Sequence, residues 1–118
     1  MKVLVVDDNV DITGMFSKYL SLKGYECAVS NSGSNALNLI KNQSFDYVIL
    51  DMSMPEFGGM DVIESLEKED LLKNNKIIIL TASSISNHDV EHITSKEGIE
   101  SFLKKPVQLS ELLQVISN

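Results

Sequence analysis

Arginine is absent from this chain of 118 residues, whose ten basic residues are all lysines against 17 acidic residues. The formal net charge is −7. Proteins that bind nucleic acid unaided usually have a basic face and use arginine at the base edges, so this composition argues against direct nucleic-acid binding. The missing arginine also excludes an arginine finger supplied by the chain itself.

Cysteine is also scarce, and long apolar runs are missing. The single cysteine, Cys27, rules out a disulfide within the chain, and we expect it to be a small buried side chain in a strand. No apolar run approaches the length that spans a bilayer, and Met1-Lys2 followed by VLVVDD is too short and too soon acidic for a signal peptide. We therefore expect a cytoplasmic protein without membrane contact, forming one domain over residues 1–118.

Three short apolar runs predict buried strands, at Val3–Val6, Tyr47–Leu50 and Ile77–Leu80. Each run is mostly β-branched or aromatic and does not alternate with polar residues, which is typical of parallel strands covered on both faces. Two weaker strands fit at about Glu26–Ser30 and Ser101–Lys104.

Helical periodicity fills the segments between these strands. The first helix is predicted from about Val10 to Leu22, with Asn9 as N-cap and Gly24 as terminator. The fourth, at about Asn87–Glu97, is polar and weakly patterned. Apolar positions mark the buried face of the first helix and the second, third and fifth helices: Ile12, Met15, Phe16, Tyr19 and Leu20; Ala36, Leu37 and Ile40; Met60, Ile63 and Leu66, with Leu71 as a further candidate; Leu109, Leu112, Leu113 and Ile116.

Strand and helix thus alternate five times, which predicts an α/β fold: a doubly wound parallel sheet of five strands with five covering helices. Polar side chains follow four of these strands: Asp7 and Asp8, then Asp51, Thr81 and Lys105. Ligands of open α/β sheets bind beyond the carboxyl ends of the strands, so these side chains should meet at one rim. Each alone would be an ordinary turn or surface residue, and their convergence favours a functional site.

The chemistry of this rim follows from its charge. Three clustered carboxylates cannot all stay ionised without a cation, and ligands that are all oxygens favour a hard ion, most naturally Mg²⁺. Asp51 can act as a nucleophile, because aspartyl phosphate is a recognised covalent intermediate. The ion and Lys105 would neutralise charge on a transferring phosphoryl group, and Thr81 is placed to donate its hydroxyl to a phosphate oxygen.

Four motifs together resemble the receiver domain of a response regulator in two-component signalling: VVDDN, ILDMSMP, ILTAS and FLKKP, one at the end of each polar-tipped strand. The resemblance covers essentially the whole chain. It implies the flavodoxin-like strand order 2-1-3-4-5, which the sequence pattern alone does not give. It also implies a signalling switch rather than an enzyme, with catalysis limited to its own phosphorylation and dephosphorylation.

The resemblance assigns roles to the acidic residues. Asp51 would be the phosphoacceptor, and its donor would be a phosphohistidine on a sensor histidine kinase or a histidine phosphotransfer protein. Asp7, Asp8 and Asp51 would hold Mg²⁺, directly or through water, and the backbone carbonyl of Ser53 would complete the metal site. Ser53 and Ser83 occupy positions that tune dephosphorylation in the family.

Three further residues take switch or phosphoryl-binding positions by resemblance. Thr81 and Lys105 would contact the phosphoryl group, and Lys105 is chosen over Lys104 because it directly precedes the proline. Phe102 matches an aromatic position that turns inward as Thr81 moves toward the phosphate. The chain departs from the family at Gly58, where Asp or Asn is frequent, and at Phe102, which lacks a tyrosine hydroxyl.

The resemblance also implies where partners bind. Phosphorylation would shift a two-state equilibrium of the surface formed by the fourth helix, the fifth strand and the fifth helix, where a downstream protein docks. A phosphorylation-dependent homodimer is compatible with this scheme. The chain is either a stand-alone regulator or the receiver of a longer one.

Two other functions start from the same residues. A Mg²⁺-dependent phosphohydrolase of the haloacid-dehalogenase-like kind also uses an aspartate at a strand end, but it wants a second aspartate two residues later. Asp51 is followed by Met52-Ser53, and Asp7-Asp8 lack that spacing. A flavodoxin-like nucleotide binder would want a phosphate loop rich in glycine or hydroxyls after the first strand, where the acidic pair repels phosphate.

Overall fold

Five strands alternate with five α-helices in the computed structural model, which describes residues 1–82 and 86–116. Ser83 therefore lies outside the described residues. The strands are β1 (Lys2–Val6), β2 (Glu26–Ser30), β3 (Tyr47–Asp51), β4 (Ile77–Thr81) and β5 (Ile99–Lys104). The helices are α1 (Val10–Leu22), α2 (Gly33–Asn42), α3 (Gly59–Lys68), α4 (Asn87–Thr94) and α5 (Leu109–Ile116), with a 3₁₀ turn at Leu72–Asn74.

The strands form one parallel sheet in the order β2-β1-β3-β4-β5. The predicted doubly wound α/β fold and the strand order implied by the resemblance are both confirmed. Within residues 1–82 and 86–116, no helix combines the length and apolarity needed to cross a bilayer.

The three central strands are buried on both faces, which explains why their sequences do not alternate. Val3 to Val6 of β1 each have 0% exposure. Successive side chains point to opposite faces, so Leu4 and Val6 pack with α2 and α3, while Val3 and Val5 pack with α1 and α5. The edge strand β2 is less buried and contains Cys27, which is half-buried and packs against the α1 and α5 side.

The first helix begins and ends as predicted, but its buried face is rotated. The Asn9 side chain caps α1 by accepting hydrogen bonds from the next turn, and Gly24 takes a left-handed φ of 94° just past its end. Met15, predicted on the buried face, is 48% exposed. Thr13 is buried in its place with Phe16 and Leu20, because residues three and seven positions apart share a helix face.

Two helices end earlier than their apolar patterns indicated. Leu71 is not part of α3, because Asp70 takes a left-handed φ of 60° just after the helix. The fourth helix ends at Thr94 rather than at Glu97, and β5 begins two residues before the predicted Ser101. Left-handed or capping residues at these places interrupt the helical hydrogen-bond ladder.

The loop after β3 is pressed against the strand by the start of α3. The Asp61 side chain accepts a hydrogen bond from the backbone N–H of Gly58 at 2.9 Å, which anchors the helix N-terminus. A Cβ added at Gly59 would lie 2.6 Å from the carbonyl oxygen of Asp51 and 2.8 Å from Cα of Met52. Only glycine therefore lets the helix approach the strand end so closely.

Replacing Gly59 with alanine should destabilise the fold, because the new methyl group meets backbone atoms that cannot move independently. We expect Gly59→Ala to lower the free energy of unfolding by about 1–3 kcal/mol in chemical denaturation. The matched control is Gly14→Ala within α1, where an added Cβ meets nothing within 4 Å. That change should raise stability by roughly 0.5–1 kcal/mol through helix propensity, and equal effects at the two glycines would contradict the packing argument.

Candidate functional site

The register of the sheet brings the carboxyl ends of β1, β3 and β4 to one level. Val6 of β1 pairs with Leu50 of β3, so Asp7 and Asp51 both follow directly at the rim. Asp51 pairs in turn with Leu80 of β4, and Thr81 is the next residue. The fold therefore assembles residues that are 30 or more positions apart in the sequence, as the strand-end pattern predicted.

Three carboxylates gather at this rim. One oxygen from each of Asp7, Asp8 and Asp51 can be chosen so that all three lie within 4.8 Å of one another. Asp7 and Asp51 are each only 1% exposed, whereas Asp8 faces solvent. Two of the three charges are thus held where water screens them poorly.

Lys105 supplies the positive charge at the rim. Its Nζ lies 2.8 Å from Oδ1 of Asp51 and 3.9 Å from Oδ2 of Asp7. The backbone N–H of Lys105 donates to the carbonyl of Thr81 at 2.7 Å, which fixes the loop after β5 against the end of β4. Lys104 is exposed and makes no ion pair with the described residues, so the choice of Lys105 agrees with the geometry.

Several polar atoms of the site are buried without a protein partner. Backbone N–H groups of Asn9 and Ser53 donate to Oδ1 of Asp7 at 2.9 Å and to Oδ1 of Asp51 at 3.1 Å. Among the described residues, no hydrogen-bond partner is found for Oδ2 of Asp7, Oδ2 of Asp51 or Oγ1 of Thr81. Buried oxygens of this kind are costly unless something else binds them, and carboxylate oxygens fit a hard divalent cation such as Mg²⁺.

The environment of Asp7 disfavours its ionised form. Burial raises its pKa from the ordinary 3.8 to about 6. The hydrogen bond from the Asn9 N–H lowers the pKa, the nearby charge of Asp51 raises it and that of Lys105 lowers it, while the adjacent Asp8 side chain raises it again. The single lysine thus compensates the acidic pair only in part.

The remaining predicted residues lie around this centre. Ser53 is exposed beside the acidic cluster, and Thr81 has 0% exposure. Phe102 lies on β5 and is 36% exposed. The sequence interpretation missed Asn31, whose side chain contacts the loop after β1, and Thr13, its hydrogen-bond partner. The only signal for Thr13 in the sequence was its position three residues before Phe16, which puts it on the same helix face.

An apolar depression of about 530 Å³ borders the rim. Its lining includes Asp7 and Lys105 of the rim, Ile12 and Met15 of α1, and Val107 of the loop after β5. The exposure of Met15 is explained by this position, since its side chain forms part of the wall.

Comparison with known proteins identifies the family. The sequence matches the family described as the response regulator receiver domain over residues 3–117. The chain belongs to this family. Receiver domains interact with histidine kinases and downstream effectors, generally bind Mg²⁺ at their acidic pocket and act as signalling switches rather than, in general, as enzymes.

Individual relatives and structures agree with this assignment. The chain is 31% identical over 116 residues to the response regulator SaeR of Staphylococcus aureus, covering 98% of this chain and 49% of SaeR. It is 29% identical over 117 residues to the probable transcriptional regulator ycf29 of Pyropia yezoensis, covering 99% and 52%. The chain thus spans about half the length of these two relatives.

Two solved receiver structures superpose closely. The receiver domain of the Francisella response regulator 1452 has a TM-score of 0.86 at 29% identity, covering 98% of this chain and 93% of that one. The chemotaxis protein CheY4 of Vibrio cholerae has a TM-score of 0.85 at 29% identity, covering 98% and 95%. The resemblance drawn from the four motifs is therefore confirmed.

The raised pKa of Asp7 predicts that removing its charge stabilises the metal-free protein. Asp7 ionises at a lower pH in the unfolded chain than in the folded one. Its contribution to the free energy of unfolding is therefore fully present below pH 3.8 and is lost as the pH rises through about 6. With divalent metal removed by a chelator at pH 7, the free energy of unfolding of Asp7→Asn should exceed that of the native chain by about 1–3 kcal/mol. Chemical denaturation from pH 4 to pH 8 should show this advantage shrinking toward pH 4, and a constant difference would contradict the assignment.

Proposed function

We propose that this receiver domain is a phosphorylation-activated switch whose phosphoacceptor is Asp51. The donor is a phosphohistidine on a sensor histidine kinase or a histidine phosphotransfer protein. The observation that carries the proposal is the state of the Asp51 carboxylate. Its Oδ1 is held by the Lys105 ammonium at 2.8 Å and by the Ser53 N–H, while its buried Oδ2 has no partner among the described residues.

The asymmetry of the two oxygens supports a direction for the reaction. Oδ1 accepts from two donors, which fix its position and occupy its lone pairs. Oδ2 keeps its lone pairs for a new bond. In the proposed step, Oδ2 forms a bond to phosphorus as the P–N bond of the phosphohistidine breaks, and the electron pair of that bond stays on the imidazole nitrogen. In this step Lys105 would stabilise the charge on the equatorial phosphoryl oxygens.

The acidic cluster suits a magnesium ion in this scheme. Asp7, Asp8 and Asp51, with the backbone carbonyl of Ser53, are the residues that would hold Mg²⁺, directly or through water. When bound, the ion supplies positive charge to the phosphoryl oxygens and orients them for transfer. The buried, unpartnered Oδ2 of Asp7 supports the assignment because a ligated cation would satisfy it.

Thr81 and Phe102 are the residues that would pass the signal to the surface. Oγ1 of Thr81 is buried without a partner among the described residues and is available to donate to a phosphoryl oxygen. In the proposed change Thr81 moves toward the phosphate, and the half-exposed ring of Phe102 turns inward behind it. The surface of α4, β5 and α5 then changes and binds a downstream protein, or a second copy of the chain as a phosphorylation-dependent homodimer.

The proposal extends to the setting of the domain. We propose that residues 1–118 form one receiver unit of the cytoplasm, without direct contact to nucleic acid or membrane. The acidic net charge of −7 and the absence of arginine support the lack of nucleic-acid contact. Both a stand-alone regulator and the receiver part of a longer regulator fit a chain that covers about half of its relatives.

Phosphorylation at Asp51 can be tested with a small donor. Acetyl phosphate with Mg²⁺ should add the mass of one phosphoryl group to the intact protein, and Asp51→Asn should stay unlabelled because an amide oxygen is a poor nucleophile. The matched control is Asp46→Asn, which alters a carboxylate that accepts from the Lys2 N–H at the opposite end of the sheet from the rim. It should be labelled like the native chain. Labelling of Asp51→Asn would exclude Asp51 as the acceptor.

The metal assignment is tested separately by titration with Mg²⁺. Asp8→Ala should weaken binding by roughly tenfold or more, because a lost ligand costs at least as much as a lost outer partner. Asp11→Ala removes a similar exposed charge from the first turn of α1 without touching the cluster, and screening should limit its effect to about threefold. Equal losses in the two variants would mean that general electrostatics, not ligation by Asp8, attracts the ion.

A further inference from the structure

Asn31, in the connection between β2 and α2, holds the loop that contains Asp7 and Asp8. Asn31 follows β2 directly, and its side-chain Nδ2 donates to the backbone carbonyl of Asp7 at 2.8 Å and to Oγ1 of Thr13 at 3.0 Å. One amide group thus joins the end of β1 to the first turns of α1.

The chemistry of the two partners requires a donor at this position. A backbone carbonyl can only accept. The Thr13 hydroxyl donates its proton to the carbonyl of Val10 at 3.1 Å, so toward Asn31 its oxygen can only accept. Asn31 meets both needs with the two N–H bonds of one NH₂ group, and Thr13 is itself buried at 2% exposure.

The connection that carries Asn31 is firmly anchored. The backbone N–H of Asp7 donates to the carbonyl of Ser30 at 3.1 Å. The Ser30 hydroxyl donates to the carbonyl of Ser32 at 2.9 Å and accepts from Nδ2 of Asn35 at 3.0 Å, which ties the connection to α2. Asn31 therefore links the loop of Asp7 and Asp8 to a connection that is itself fixed to β1 and α2.

We propose that Asn31, with Thr13, is a positioning residue that sets the Mg²⁺ affinity of the Asp7-Asp8 loop. The inference rests on the proposed metal site. Mg²⁺ demands nearly ideal octahedral geometry, so a loop free to shift would bind it less tightly. Among the described residues, Asn31 makes no hydrogen bond with Asp51 or Lys105, so it should act on ion binding and not on the phosphoryl-transfer step.

The test measures Mg²⁺ affinity by calorimetry and the rate of labelling by acetyl phosphate as a function of Mg²⁺. Asn31→Ala should weaken Mg²⁺ binding roughly three- to tenfold, the range expected when a partly exposed outer partner is lost. The Mg²⁺ concentration that gives half-maximal labelling should rise by the same factor, while the rate at saturating Mg²⁺ stays within about twofold of the native value. A merely structural residue would not produce this separation.

The control is Asn42→Ala, which removes an exposed asparagine whose Nδ2 donates to the carbonyl of Asn38 at 2.8 Å within α2. It should leave both readouts unchanged. Thr13→Val should weaken Mg²⁺ binding in the same way, whereas Thr13→Ser, which keeps the hydroxyl, should bind Mg²⁺ like the native chain. In the double variant Asn31→Ala with Thr13→Val, the loss of Mg²⁺ affinity should be smaller than the product of the two single losses.

The outcomes separate this inference from the proposed function. If the native chain binds Mg²⁺ and Asn31→Ala binds it equally well, Asn31 is not a positioning residue and the proposed metal site stands. A lower rate at saturating Mg²⁺ with unchanged Mg²⁺ affinity would also overturn the inference. If the native chain binds no Mg²⁺, the metal site and the inference fall together.

Discussion

The structure depends on one electrostatic constraint: two carboxylates, Asp7 and Asp51, are buried side by side with one lysine to share. The register of β1 against β3 places them there, and neither strand can move away without breaking the hydrogen bonds of the sheet. Lys105 lies close to Asp51 and a full ångström farther from Asp7, so compensation is unequal. The resulting excess of negative charge at the rim is what a divalent cation would balance, and the same cation would then offset the negative charge of a phosphoryl group.

The distribution of burial determines which parts of the molecule can respond to a change at this rim. The residues of β1, β3 and β4 are almost entirely buried, and displacing them would open cavities in two cores at once. By contrast, β5 alternates between exposed and half-buried residues after the buried Ile99, and α4 buries only Val90 and Ile93. For the proposed switch, we therefore expect a new charge beside Thr81 and Lys105 to act first where packing is weakest, on the side of β5 and α4.

Much of this arrangement could be predicted from the sequence, because the responsible signals are local. Apolar runs marked the strands, Asn9 and Gly24 marked the ends of α1, and polar residues after the strands located the rim. The errors occurred where tertiary contacts prevail over local pattern. Met15 fits the apolar stripe of α1 but lines a depression at the surface, and α3 stops before Leu71 because Asp70 takes a left-handed conformation.

Hydrogen bonds between distant side chains and backbone left no such signal. Nothing near Asn31 in the sequence marks it as a partner of Asp7, since the contact exists only because β2 and β1 are neighbours in the sheet. The division of roles follows from this topology. In the proposed function, β1, β3, β4 and β5 lead into the groups that would touch the ion or the phosphoryl group, whereas β2 leads into Asn31, which holds the backbone of Asp7. A residue such as Asn31 can therefore hold the backbone of a rim residue without belonging to the motifs that mark the rim in the sequence.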